Sequence, residues 1–156
     1  MKFRNFQLWE LVPKEIYDRR GAQAIECMDL RIVQAVDDLR DNLRKEGHDN
    51  GFIINSWKSG GHKTQSGLRV YGQKEFSPTS QHSFGRAIDF TTKTPIKTIH
   101  KHILMHLDKY PNICFIEIDI GWCHVDCRDN FDGARIKLWS PKRGFVSVSQ
   151  YLKELG

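Results

Sequence analysis

Two short segments hold the residues whose types and spacing suit chemistry. The first is Ser80-Gln81-His82-Ser83-Phe84-Gly85-Arg86-Ala87-Ile88-Asp89; the second is Trp122-Cys123-His124-Val125-Asp126. Two histidines and a carboxylate (His82, Asp89 and His124) form a common ligand set for a catalytic zinc ion, and three protein ligands leave a fourth position for water. Zinc lowers the pKa of such a water toward neutrality and polarises a carbonyl. His82 and Asp89 are too far apart in sequence for one helical turn. They converge if the chain loops at Gly85 and Asp89 begins a strand. His124, on a neighbouring strand, then closes the triangle.

The pattern S-x-H-x-x-G-x-A-x-D, followed downstream by a strand with H-x-D or H-x-H, resembles the M15 metallopeptidases. Ser80, His82, Gly85, Ala87 and Asp89 occupy every fixed position of the first motif. Leu11-Val12-Pro13 with Ile16-Tyr17, the helix expected after Asp29, and Ser66-Gly67-Leu68-Arg69 are also similar to phage-encoded members. The likeness thus covers most of the chain. That group contains D-Ala-D-Ala carboxypeptidases, dipeptidases and phage L-alanyl-D-glutamate endolysins, and shares its fold with the hedgehog signalling domain. The resemblance implies Zn2+ on His82, Asp89 and His124 and hydrolysis of peptidoglycan stem peptides. Two rival readings are a zinc-stabilised virion module without turnover and a cytoplasmic D-Ala-D-Ala dipeptidase.

Many members carry Glu three residues before the last zinc histidine, where this chain has Gly121. The candidate general bases are therefore Asp126, Glu117 and Asp119. Side chains two apart on a strand share a face, which favours Asp126 beside His124. Glu117 and Asp119 have the opposite parity unless the turn near Asp119–Gly121 resets it. Asp126 has an alternative role: orienting a zinc-bound histidine or pairing with Arg128. Positive charge is needed for a developing oxyanion or a substrate carboxylate. Lys58, in Asn55-Ser56-Trp57-Lys58-Ser59, sits where members often have Arg. It supplies charge without a bidentate fork, so Arg69 is the stronger candidate. Ser80 is expected to hydrogen-bond substrate or tune the metal site.

Other titratable residues fit chemistry less well. Cys123 and Cys127 are spaced C-x3-C with no second pair, which fits a zinc site poorly. They and Cys27 and Cys114 are expected to be partly buried free thiols. His102 and His106 are four apart on an expected helix, but the intervening Ile103-Leu104-Met105 lacks the Glu of H-E-x-x-H. With His100 they read as a solvated polar face.

The elements that must position these residues follow from patterning. The 156 residues suffice for one domain, 1–156, and 39% hydrophobic with 28% charged residues is a globular composition. Net charge is +5 with no run of five basic residues, so nucleic acid is not expected as a partner. No apolar run is long enough to span a bilayer. Residues 1–11 show no secretory signal, which together with the resemblance suggests a monomer that starts in the host cytoplasm. It would then reach the cell wall after membrane permeabilisation.

Pro13 opens a helical turn at Lys14–Arg19. Leu30, Val33, Val36, Leu39 and Leu43 form a stripe on a helix after Asp29 that ends near Gly47. Strands are expected at Phe52–Ile54, Ala87–Thr92, Ile113–Ile118, Trp122–Cys127 and Ile136–Trp139. Helices are expected at Pro95–Lys109 and Ser147–Leu155. The stretch 55–80 reads as an ordered, substrate-facing loop. Together these predict an α+β fold: a small antiparallel sheet with flanking helices.

Overall fold

The structure, a computed structural model, describes residues 3–48 and 51–156. Among the described residues, five α-helices and five strands are joined by turns and short 3-10 helices. Helix α1 (Leu8–Leu11) and α2 (Lys14–Arg20) form the N-terminal arm, and 3-10 turns at Gly21–Cys27 lead into α3 (Leu30–Lys45). Strand β1 (Ala87–Phe90) precedes α4 (Ile96–Met105), followed by β2 (Phe115–Glu117), β3 (Cys123–Asp126), β4 (Lys137–Ser140), β5 (Gly144–Val146) and α5 (Val148–Leu155).

Helix α3 begins where Asp29 accepts the backbone N–H of Arg31 at 3.0 Å, a side-chain N-cap. Ile32, Val33, Val36, Leu39 and Leu43 lie on its buried side. Leu30, expected in that stripe, is exposed in the first turn. Helix α3 packs on β1, and α4 packs on α3 and α5.

The sheet runs β1-β3-β2-β4-β5. It is mixed rather than antiparallel throughout, because β2 and β4 pair in parallel. After the β2–β3 hairpin the chain crosses the end of β2 through residues 127–136 and returns along its far side, now in the direction of β2. Register divides the sheet into two faces. Ile88, Val125, Ile116, Leu138 and Val146 stand opposite one another in one apolar row, and all are buried. Burying such a row fixes register, since a one-residue slip would turn it to solvent. Every residue of opposite parity is thereby committed to the other face.

Three expected elements differ. Phe52–Ile54 is no strand; it makes a single bridge between Ile53 and Thr91. Its apolar character serves packing instead, with Phe52 stacked on Phe90 at 4.0 Å. Helix α4 stops at Met105, where His106 leaves helical backbone and its Nδ1 donates to the His102 carbonyl. The histidines of α4 are not a solvated face: His100 and His102 are buried. His100 Nδ1 is 2.9 Å from Tyr151 Oη, and His102 bridges Glu46 (2.9 Å) and Tyr110 (2.6 Å). Strand β5 was not anticipated from the sequence.

Candidate metal centre

Each position of the Ser80–Asp89 motif has a local task. Ser80 caps a 3-10 turn, Gln81–Phe84, its Oγ accepting from the His82 amide. Gly85 ends the turn in the left-handed region (φ 66°), where a Cβ would lie 2.1 Å from the Cys27 carbonyl oxygen. Ala87 is fully buried on β1, opposite Asp126. Asp89 then falls on the face that lacks the apolar row, directly opposite His124.

The loop 55–80 completes the site and is tied to the N-terminal arm. Buried Asn55 donates to the Val12 carbonyl and accepts from Ser66 N–H, and Trp57 Nε1 donates to the same carbonyl. The Leu68 amide donates to the Leu11 carbonyl at 2.9 Å. Gly67 has no room for a side chain: a Cβ there would meet the Leu11 carbonyl oxygen at 2.1 Å. The anchored Gly67 carbonyl in turn accepts a hydrogen bond from His82 Nδ1 at 2.7 Å.

His82, Asp89 and His124 converge, with one ligand atom from each lying within 4.8 Å of the others; among the described residues no other group of three or more histidines, cysteines and carboxylates does so. His82 Nε2 is 3.3 Å from both His124 Nδ1 and Asp89 Oδ2, and His124 Nδ1 is 2.7 Å from Asp89 Oδ1. The outer nitrogens are also held. His82 Nδ1 donates to Gly67 O, and His124 Nε2 donates to Asp126 Oδ2 at 3.2 Å. This directs His82 Nε2 and His124 Nδ1 at Asp89, the arrangement that fixes tautomers in metal sites. The donor set and its outer partners fit a divalent metal ion.

Charge supports the same fit. Burial would raise the Asp89 pKa, but hydrogen bonds with His124 and His82 hold it well below the carboxylate range. Burial would lower His124, but Asp126 and Asp89 lift it to about 9, so the metal-free ring donates from both nitrogens. A metal ion would replace the proton on Nδ1. Arg69 Nη2 donates to Asp89 Oδ2 at 2.9 Å, which commits this guanidinium to the metal-facing carboxylate.

The remaining candidates separate. Glu117 is half-buried directly opposite His124 and lines a cavity of about 430 Å³ with His82, Asp89, His124 and Arg128. Burial raises its pKa. Asp126, favoured above as base, is 0% exposed and does not line that cavity. It lies behind His124, and Arg128 Nε donates to both its oxygens at 2.8 and 3.0 Å. Asp119 is turned away, paired with Arg143 at 2.9 Å. Ser80 and Arg69 line the cavity; Lys58 lines neither this cavity nor the adjoining one, and its Nζ sits 4.7 Å from the Tyr17 ring centre. Cys123 points into the core. Burial pushes its thiol well up and pushes that of Cys127 up to about 12, so neither offers a ready thiolate.

Sequence reasoning missed several residues at the site. Arg128 lies over the Phe115 ring at 3.6 Å and borders the cavity, as do Trp122, Trp139 and Phe145. Lys63 borders a second cavity of about 450 Å³ that shares Arg69, Glu75, Asp89 and Trp122 with the first, and its Nζ donates to Thr91 Oγ1 at 2.8 Å. The strand register alone would have exposed Trp139 and Phe145, had β5 been recognised. Arg128 was legible only as a partner for Asp126, a pairing the structure bears out, and Lys63 carries no local signal. No family model, curated protein or solved structure matches the chain.

Proposed function

We propose that this chain is a zinc-dependent peptidase of M15 type, with a hedgehog-like arrangement of its α+β elements, that hydrolyses peptidoglycan stem peptides in the manner of a phage endolysin. The observation that carries the reading is the convergence of His82 Nε2, an Asp89 oxygen and His124 Nδ1 beside Glu117 in one cavity. Zinc bound there would polarise the scissile carbonyl and acidify water.

The chain's own residues supply the rest. Glu117 accepts the proton of the attacking water, and burial, which raises its pKa, makes it the stronger base. As the new C–O bond forms and the C–N bond breaks, Glu117 returns the proton to the leaving amine. Arg128 holds Asp126 through Nε and Nη2, which leaves Nη1 for a carbonyl or carboxylate oxygen of the substrate. Asp126 and the Gly67 carbonyl keep the two imidazoles aimed, and Arg69 does the same for Asp89. A second cavity adjoins the first at Arg69, Glu75, Asp89 and Trp122, and this added room supports cleavage within a longer peptide over a closed dipeptidase pocket.

Digestion of purified muropeptides followed by mass spectrometry tests the proposal, together with elemental analysis for one zinc per chain. New peptide termini that disappear with chelator and return with zinc are expected. Intact muropeptides in the presence of bound zinc would overturn it in favour of a non-catalytic module.

A further inference from the structure

A row of five residues crosses the sheet on the face of the metal centre. Asp89 stands opposite His124, His124 opposite Glu117, Glu117 opposite Trp139, and Trp139 opposite Phe145. Directly opposite residues share a face. With strands about 4.8 Å apart, Trp139 and Phe145 lie about 10 Å and about 14 Å along the row from His124. The ligand cluster occupies one end of the row, the candidate base the middle, and two aromatic rings the other end. All five residues line the same cavity.

Metal chemistry does not require those rings. Phe145 is 70% exposed on the edge strand, opposite half-buried Trp139, and Lys137 Nζ lies 5.7 Å from its ring centre. The cavity the two rings line is mixed: Thr79, Gln81 and Arg128 share it with Phe115 and Trp122. An apolar protein segment would leave those polar side chains without partners. A pyranose ring matches the mixture. Its axial C–H bonds carry partial positive charge and settle on the negative face of an aromatic ring. Its hydroxyl and acetamido groups project sideways toward hydrogen-bonding side chains.

We propose that Trp139 and Phe145 form a sugar subsite that takes an amino-sugar ring of the glycan strand, with the attached peptide running back along the row over Glu117 and the metal ligands. The link to the peptide rests on the peptidase reading; the affinity for the sugar does not.

The test is an NMR titration of the full chain, with and without zinc, using a soluble N-acetylglucosamine tetramer. Saturable binding is expected, weakened about three- to tenfold by Phe145→Ala, with larger loss for Trp139→Ala. Phe131→Ala serves as control, because Phe131 is 99% exposed and lines neither this cavity nor the one adjoining it. Trp139 is half-buried, so Phe145→Ala decides the case should Trp139→Ala misfold. In the second arm, Phe145→Ala should raise KM for a disaccharide-linked stem peptide and leave KM for the bare peptide unchanged. Absence of tetramer binding, an equal effect of Phe131→Ala, or an equal rise in KM for both substrates would overturn the subsite. Phe145-dependent tetramer binding without any hydrolysis would sustain the subsite while the peptidase reading fails. Hydrolysis without tetramer binding would do the reverse.

Discussion

Glu117 stands directly opposite His124 on adjacent antiparallel strands, so the two side chains rise from the same face of the sheet. Counting parity along the chain from 124 back to 117 gives the wrong answer, because a turn does not preserve alternation. Pairing across the ladder does.

This placement makes Glu117 the residue whose loss should separate turnover from metal binding. Glu117→Gln is expected to fold, to bind zinc as the unaltered chain does, and to hydrolyse about two to four powers of ten more slowly. Turnover measured at saturating zinc is the decisive readout. A Gln variant that kept full activity would remove Glu117 from the reaction.

Asp126 should behave oppositely. It is buried behind His124, with its carboxylate shared between His124 Nε2 and Arg128. Asp126→Asn is expected to weaken zinc binding by about ten- to a hundredfold, with activity restored by excess metal. Activity that stayed low in saturating zinc, with affinity intact, would reassign Asp126 to the proton transfer.

A third prediction concerns a residue outside both motifs. A Cβ on Gly67 would lie 2.1 Å from the Leu11 carbonyl oxygen, and Gly67 O orients His82. Gly67→Ala must displace one of these backbones. It should cost about 1–3 kcal/mol of stability and weaken zinc about tenfold or more. Thermal unfolding of the metal-free protein and a zinc titration measure the two effects. Unchanged zinc affinity would show that the Gly67 carbonyl does not position the ring.

Acid stability should depend on His100, away from the metal centre. Its ring is buried between α4 and α5; Nδ1 meets Tyr151 Oη, and Nε2 has no partner. Burial lowers its pKa to about 4, against about 6.5 when unfolded. Between these values the unfolded chain binds the extra proton, so the contribution is present above pH about 6.5 and is lost as pH falls toward 4. Denaturant unfolding across that window should show a pH slope that His100→Gln reduces. Equal slopes in the two chains would remove His100 as its source.

Some of the architecture is local and therefore legible in the sequence. The α3 stripe follows helical periodicity, Asp29 is a cap by type and position, and Pro13 marks the start of α2. The Ser80–Asp89 motif is readable for the same reason: a capped turn, a left-handed glycine and a strand are decisions made within ten consecutive residues. Even the pairing of Asp89 with His124 follows once both strands are placed.

What sequence alone determined was which residues could bind a metal ion. Tertiary structure decided what surrounds them. Strand parity favoured Asp126 over Glu117 as base until the β2–β3 register put Glu117 in the cavity and Asp126 behind His124. The α4 histidines read as polar surface until α5 and Tyr110 covered them. Trp139 and Phe145 became neighbours of the site only through β4 and β5, added beyond β2 by a crossover and a turn. Such pairings depend on which edge of the sheet is open when the chain returns. That choice is set by burial of the apolar row from Ile88 to Val146, an energy summed over five strands and encoded in no single segment.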